Sequence, residues 1–112
     1  PHELEYIKDR KAFAFSGLAR NDDFRSTVES FECDLRGFMG FPDHHWYSED
    51  DFNSIFCSAE DTAADILLTT EKDFARFSHK IQCPVDLLVI GIQIFFGDDE
   101  SAFNAFIKNR LE

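Results

Sequence analysis

The chain has 112 residues, of which 44% are hydrophobic and 14 are phenylalanine, and this size and composition are typical of one globular domain. Its 22 acidic and 11 basic side chains give a formal net charge of −11 at pH 7. Such a charge repels phosphate backbones and anionic lipid headgroups, which argues against nucleic-acid or polybasic membrane binding. The three cysteines form no Cys-x-x-Cys pair and predict reduced thiols rather than disulfides or a zinc knuckle.

Strand and helix patterns alternate along the chain, which is typical of an α/β fold with a largely parallel sheet. Apolar runs predict strands at residues 12–16, 35–41, 66–69 and 85–90, the last with a continuation after Gly91 through Phe96. We therefore expect a three-layer, Rossmann-like sandwich whose mostly parallel sheet has four or five strands. Right-handed crossovers between parallel strands predict the strand order 2-1-3-4.

Four helices are predicted between and after these strands. Asn21 is the expected N-cap of the first helix, and Ser48 begins the second, where its hydroxyl is placed to accept the backbone N–H of Asp51. Thr70 begins the third helix, and residues 98–100 begin the last one. The apolar faces of the four helices are Phe24, Val28 and Phe31; Phe52, Ile55, Phe56 and Ala59; Phe74 and Phe77; and Phe103, Phe106 and Ile107.

Residues 1–11 are polar and charged apart from three apolar side chains. We expect them to be the end of a connector that enters a C-terminal α/β domain at residues 12–112. The first residue is Pro rather than Met, which favours a piece of a longer protein. The longest apolar stretch, residues 87–96, contains Gly91 and Gln93 and is too short to span a bilayer.

Three polar clusters follow the first three predicted strands. They are Gly17-Leu18-Ala19-Arg20, Pro42-Asp43-His44-His45 and Thr69-Thr70-Glu71-Lys72-Asp73. Parallel strands deliver such turns to the carboxyl edge of the sheet, where open α/β sheets bind their ligands. We therefore expect the three clusters to share one edge.

Each cluster has both a chemical and a structural interpretation. A carboxylate at Asp43 beside two imidazoles is suited to a general base, a metal site or a proton relay, but it also fits a plain turn after Pro42. The cluster from Thr70 to Asp73 resembles a helix capping box, and a hydroxyl and a lysine at a helix N-terminus also suit a phosphate. Gly17 fits a tight turn, and Arg20 is either a solvated charge or an anion clamp. The chain has no P-loop motif.

The order of these motifs resembles the C-terminal half of tetraacyldisaccharide 4'-kinases, the lipid A 4'-kinases of bacteria. The resemblance covers about residues 10–95, and Asn21 departs from it because the family usually has Pro after the Arg. The matching stretches are residues 12–20, Phe24, residues 41–47 and residues 68–73.

This resemblance implies transfer of the γ-phosphate of ATP, with Mg²⁺, to the 4'-hydroxyl of an acylated disaccharide 1-phosphate. It also implies that ATP and Mg²⁺ are bound mainly by an upstream P-loop domain, so that this segment alone is inactive and holds no cofactor or metal. Membrane contact would come through the missing N-terminal region, with the whole protein peripheral at the cytoplasmic face of the inner membrane.

The resemblance assigns a catalytic role to His44, which would pair with an Asp of the N-terminal half to activate the sugar hydroxyl. Asp43 would orient the loop that presents His44. The remaining candidate residues would line the cleft or bind substrate, and they are Gly17, Arg20, His45, Thr70, Glu71, Lys72 and Asp73.

Two other functions fit the residues. The segment could be a non-catalytic docking domain whose exposed sheet edge completes the cleft of a partner domain. A metal-dependent phosphoesterase is suggested by the Asp43-His44-His45 cluster alone, but such enzymes need further aspartates to hold their metals.

Overall fold

The structure is a computed structural model that describes residues 5–77, 82–97 and 100–111, with residues from 92 onwards described by their backbone. A single sheet contains all five of its strands, in the order β2-β1-β3-β4-β5. The elements in chain order are β1 (Lys11–Ser16), α1 (Asn21–Glu29), β2 (Asp34–Gly40), α2 (Glu49–Asp61), β3 (Ile66–Thr70), α3 (Glu71–Phe74), β4 (Asp86–Gly97) and β5 (Glu100–Leu111).

The first four strands are parallel, and their order 2-1-3-4 is the predicted one. Strand β3 pairs with β1 on one side and with β4 on the other, from Ile66 opposite Asp86 to Thr70 opposite Ile90. The predicted α/β fold with a mostly parallel sheet is therefore confirmed.

Alternation of side chains along the strands divides the core into two layers. Ala12 and Ala14 of β1 face α1, whereas Phe13 and Phe15 face α2. Strands buried on both faces lose the polar alternation of a surface strand, as in β3, where all five residues are buried. The helical contributions are Phe24 and Val28 from α1, and Phe52, Ile55 and Ala59 from α2.

The predicted last helix is wrong, because Glu100–Leu111 is strand β5, antiparallel to β4. Its register runs from Leu87 opposite Leu111 to Gly97 opposite Glu100. Phe103, Phe106 and Ile107 have helical spacing, but pairing along the whole of β4 satisfies backbone groups that a lone edge strand would leave open. Asp98 and Asp99, which were expected in that helix, lie outside the described residues.

Two helix boundaries also differ from the prediction. Asn21 is not the cap of α1, since Arg20 holds the N-cap position and makes no side-chain cap hydrogen bond. The amide of Asn21 instead joins neighbouring turns, as described below. The third helix ends at Phe74 after a single turn, because Phe77 leaves it to form a parallel bridge with Tyr47.

The described part of the predicted connector packs against the sheet. Ile7 is fully buried in the core layer that contains α1, and the hydroxyl of Tyr6 donates to Asp86 Oδ2 at 2.5 Å. Arg10 lies over the Tyr6 ring, with its guanidinium carbon 3.9 Å from the ring centroid. These contacts tie the segment before β1 to the amino-terminal end of β4.

The thiols of the described cysteines are all free. Cys33 and Cys83 are half-buried, and burial raises the pKa of both, that of Cys83 to about 11. Cys57 is exposed on α2.

The predicted cap of α2 is confirmed in detail. The Ser48 hydroxyl accepts the backbone N–H of Asp51, and the Asp51 carboxylate accepts the backbone N–H of Ser48.

We expect Ser48→Ala to lower the free energy of unfolding by about 0.5–2 kcal/mol, because one helix-terminal N–H loses its acceptor. Urea denaturation measures this loss. Ser54→Ala, on the exposed face of the same helix, is the control, and an equal loss in both variants would contradict the assignment.

Candidate functional site

The turns after β1, β2 and β3 meet at the carboxyl edge of the sheet, and we call them together the rim: residues 17–20, 42–47 and 69–73. The first two turns are joined through their backbones. The N–H of Phe41 donates to the carbonyl of Ser16 at 2.8 Å, and the N–H of His44 donates to the carbonyl of Gly17 at 3.3 Å. The three polar clusters expected at one edge are thus neighbours there.

A buried carboxylate, that of Asp73, links all three turns of the rim. Its Oδ1 accepts the backbone N–H of Gly17 at 2.8 Å and the hydroxyl of Tyr47 at 2.9 Å. Its Oδ2 accepts the hydroxyl of Thr70 at 2.5 Å. The Asp73 side chain is fully buried, so these contacts replace the water it would bind in the unfolded chain. Asp73 therefore acts inside the fold.

Gly17 is required by the close approach of the first two turns. A Cβ atom at this position would lie 2.8 Å from the carbonyl oxygen of Pro42 and 3.0 Å from Cβ of His45. Backbone atoms cannot move aside as a flexible side chain can, so any larger residue would separate the turns. The tight turn predicted at Gly17 thus has a specific steric cause.

Asn21 fastens the same two turns from the side of α1. Its Oδ1 accepts the hydroxyl of Ser16 at 2.6 Å and the backbone N–H of Leu18 at 2.8 Å. Its Nδ2 donates to the carbonyl of Phe41 at 3.0 Å. The residue that departs from the Pro of the resembled family thus replaces a rigid ring with three hydrogen bonds.

His44 projects from the rim towards solvent. Its side chain is 73% exposed, with Nε2 3.5 Å from Asp43 Oδ2. Its backbone φ is 63°, in the left-handed region that residues other than glycine rarely adopt. On its other side, Nδ1 lies 2.7 Å from Nη2 of Arg76. The imidazole of His44 is thus accessible to solvent, while hydrogen bonds hold the backbone of the residue and the ring nitrogen Nδ1.

His45 points the other way, into the base of the loop. Its ring stacks on Phe41 with centroids 4.6 Å apart, and its Nε2 lies 2.8 Å from Asp51 Oδ2. Burial opposes ionisation of Asp51, but hydrogen bonds from Ser48 and His45 outweigh it and lower the pKa of the Asp51 carboxyl. His45 therefore connects the second turn to the start of α2, and its expected place in the cleft stays a prediction.

The other predicted site residues either cap a helix or lie on the surface. Thr70 is the N-cap of α3, where its hydroxyl accepts the N–H of Asp73 at 3.1 Å. Glu71 and Lys72 are exposed, and Arg20 is exposed and paired with Asp23 at 2.9 Å.

Sequence reasoning missed the contacts of Tyr47, in the second turn of the rim, and of Arg76, which lies three residues after the third turn. Tyr47 is fully buried, and its hydroxyl donates to Asp73. Burial, together with the charge of Asp73 and the hydrogen bond to it, raises the pKa of the Tyr47 hydroxyl far above its ordinary value. Arg76 follows the third cluster by three residues, and only its spacing of about one helical turn from Asp73 could have suggested it.

Among the residues that the structure describes, no group of three or more His, Cys, Asp or Glu side chains could hold a metal ion. Within the same residues, no helix combines the length and apolar character needed to cross a membrane.

A family model described as tetraacyldisaccharide-1-P 4'-kinase matches residues 1–112, which is the whole of the sequence. The chain belongs to this family. The resemblance drawn from the ordered motifs is therefore confirmed. A comparison with solved structures found no match.

Curated relatives named tetraacyldisaccharide 4'-kinase agree with this family. The protein of Syntrophobacter fumaroxidans is 39% identical over 107 residues, covering 93% of this chain and 27% of the relative. Those of Syntrophus aciditrophicus and Desulfatibacillum aliphaticivorans are 31% and 32% identical, covering 82% and 99% of this chain. The chain spans between 25% and 30% of the length of these three relatives.

We expect Asp73→Ala to lower the free energy of unfolding by about 3–5 kcal/mol, because it leaves buried donors of Gly17, Tyr47 and Thr70 without an acceptor. Asp73→Asn keeps one acceptor oxygen and should cost roughly half as much. Chemical denaturation measures both. Glu71→Ala, at an exposed position of the same turn, is the control, and an Asp73→Ala loss no larger than the control would contradict the role of the carboxylate.

The Asp51 carboxyl predicts a pH dependence of stability. Because its pKa is lower in the folded chain than the ordinary value of 3.8, its ionisation stabilises the fold above that value. This stabilisation is lost as the pH falls below 3.8 and through the folded pKa. The difference in unfolding free energy between the parent chain and Asp51→Asn should therefore shrink between pH 6 and pH 3. Asn53→Ala, which removes no titratable group from the exposed face of the same helix, is the control, and an equal pH dependence in both differences would contradict the role of Asp51.

Proposed function

We propose that this chain is the C-terminal domain of an ATP-dependent kinase that phosphorylates the 4'-hydroxyl of tetraacyldisaccharide 1-phosphate in lipid A biosynthesis. Its support is the family match over the whole chain and the names of relatives about three and a half times as long. An upstream P-loop domain of the same protein would supply the rest of the cleft. The segment alone is inactive in this proposal.

The observation that carries the proposal is the exposed imidazole of His44 on the rim, beside Asp43. The backbone N–H of His44 donates to the carbonyl of Gly17, and its Nδ1 contacts the guanidinium of Arg76. If the upstream domain closes over this edge of the sheet, its side chains would come within reach of that imidazole. His44 would then pair with a carboxylate of the upstream domain, as the family resemblance implies, and Asp43 would help to orient the imidazole.

The reaction needs a deprotonated sugar hydroxyl in line with the γ-phosphorus. The bond from the γ-phosphorus to the β,γ-bridging oxygen breaks, the bond to the sugar oxygen forms, and the hydroxyl proton passes to the carboxylate paired with His44. Phosphoryl transfer depends chiefly on positioning and charge stabilisation, so assistance by His44 would contribute about 10²–10⁴-fold.

ATP and Mg²⁺ would be held mainly by the upstream domain, where they supply the phosphoryl group and neutralise its charge. Glu71, Lys72 and Arg20, the last with its partner Asp23, are exposed side chains of the rim that would face substrate in this arrangement. Membrane contact would come from the region before this chain, and the whole protein would lie at the cytoplasmic face of the inner membrane.

A docking domain is the second candidate, and one observation favours it. Both oxygens of Asp73 are used inside the fold, so the most distinctive motif of the rim shapes the edge rather than binding substrate. In that case the rim would contact the upstream domain, and His44 would contribute to the interface and not to turnover.

We expect His44→Asn in the full-length protein to lower kcat by about 10²–10⁴-fold with little change in stability. Asn is chosen because it tolerates the left-handed backbone that His44 adopts. Kinase assays with ATP and the acylated disaccharide 1-phosphate measure the effect.

Asn53→Ala, at an exposed position of α2, is the control and should retain full turnover. Unchanged kcat in a folded His44→Asn protein would remove His44 from the mechanism and favour the docking domain.

A further inference from the structure

The guanidinium of Arg76 determines which nitrogen of His44 carries the proton. Nη2 of Arg76 lies 2.7 Å from Nδ1 of His44, a hydrogen-bond distance. A guanidinium has five N–H donors and no acceptor, and it stays protonated in proteins. Nδ1 must therefore present its lone pair, because two donors facing each other at this distance would repel.

The opposite nitrogen then carries the proton. A neutral imidazole has one donor nitrogen and one acceptor nitrogen, so acceptance at Nδ1 leaves the hydrogen on Nε2. Nε2 lies on the side of the Asp43 carboxylate, 3.5 Å from Oδ2. The exposed nitrogen of His44 is thus prepared to donate to a carboxylate rather than to accept a proton.

Both partners of this contact are held by their backbones. The N–H of Arg76 donates to the carbonyl of Asp73 at 2.9 Å, and the carbonyl of Arg76 accepts the N–H of Tyr47 at 3.0 Å. His44 is fixed by its left-handed φ of 63° and by its N–H to Gly17. A non-glycine residue keeps such a φ only where the surrounding structure holds it there.

We propose that Arg76 is a positioning residue that fixes His44 in the tautomer with hydrogen on Nε2. His44 then donates a hydrogen bond to the carboxylate that takes the proton of the sugar hydroxyl, and does not take that proton itself. This inference rests on the proposed function, because it assigns a partner to His44 in the same reaction. The guanidinium reaches the reaction only through His44.

The test uses three variants of the full-length protein. Arg76→Met keeps an unbranched stem and the backbone hydrogen bonds but removes the donor to Nδ1, whereas Arg76→Lys restores a donor. Arg36→Met, on β2, removes an exposed arginine paired with Asp34 and is the matched control. Thermal unfolding checks that each variant is folded.

Kinetics give the first measurement. We expect Arg76→Met to lower kcat by about 10–100-fold, as loss of a group that orients a functional histidine does, with KM for both substrates unchanged. Arg76→Lys should recover much of this loss, and Arg36→Met should match the parent. A raised KM with unchanged kcat would overturn the proposal, because it would mean that the guanidinium binds substrate directly.

Nitrogen NMR of the histidine rings gives the second measurement, with His44→Asn identifying the signals of His44. The parent should show hydrogen on Nε2 alone, and Arg76→Met a mixture of tautomers. A parent protein with hydrogen on Nδ1 would overturn the proposal whatever the kinetics.

The two proposals can fail separately. If His44→Asn retains full kcat, the proposed role of His44 fails. If His44→Asn loses kcat but Arg76→Met changes neither kcat nor the tautomer, the role of Arg76 alone fails.

Discussion

The buried carboxylate of Asp73 is the interaction on which the arrangement of the rim depends. It collects the N–H of Gly17 and the hydroxyls of Tyr47 and Thr70, one group from each of the three turns. A buried donor without an acceptor costs about 1–3 kcal/mol, and a small domain has about 5–15 kcal/mol in total. The turns therefore meet around this side chain with little freedom to separate, and the position of His44 follows from that meeting.

The rim separates groups that face inwards from groups that face solvent. Tyr47 and Thr70 are buried and both donate to the buried carboxylate of Asp73, and no buried side-chain polar atom of the described residues lacks a partner. His44 is held by its backbone but presents its ring to solvent. This division allows an exposed imidazole to be placed precisely, because the restraints act on its backbone and on one ring nitrogen while the other stays accessible.

The parallel part of the fold was predictable because its central strands are buried on both faces and read as apolar runs, as Ile66–Thr70 does. The last strand was not, since Phe103, Phe106 and Ile107 have helical spacing and only the partner β4 decides against a helix. Local sequence preference likewise favoured Asn21 as the N-cap of α1. Its side-chain amide instead forms hydrogen bonds with residues of the adjacent turns. Pairing with a distant strand overrode local preference in the first case, whereas in the second two of the three hydrogen bonds are to nearby residues and only that to Phe41 is distant.

The candidate site was likewise only partly predictable from the sequence. Gly17, His44 and Asp73 were found because each belongs to a motif that follows a strand, and strand direction alone predicts their shared edge. Tyr47 ends the matching stretch at residues 41–47 and Arg76 lies outside the motifs, and their contacts to Asp73 and His44 join residues 26 and 32 positions apart. In the proposed tautomer of His44, Nδ1 accepts from the guanidinium of Arg76, and Nε2, on the side of Asp43, is left as a hydrogen-bond donor. A carboxylate supplied by an upstream domain would be the matching acceptor, because the guanidinium leaves the ring no second lone pair for a proton.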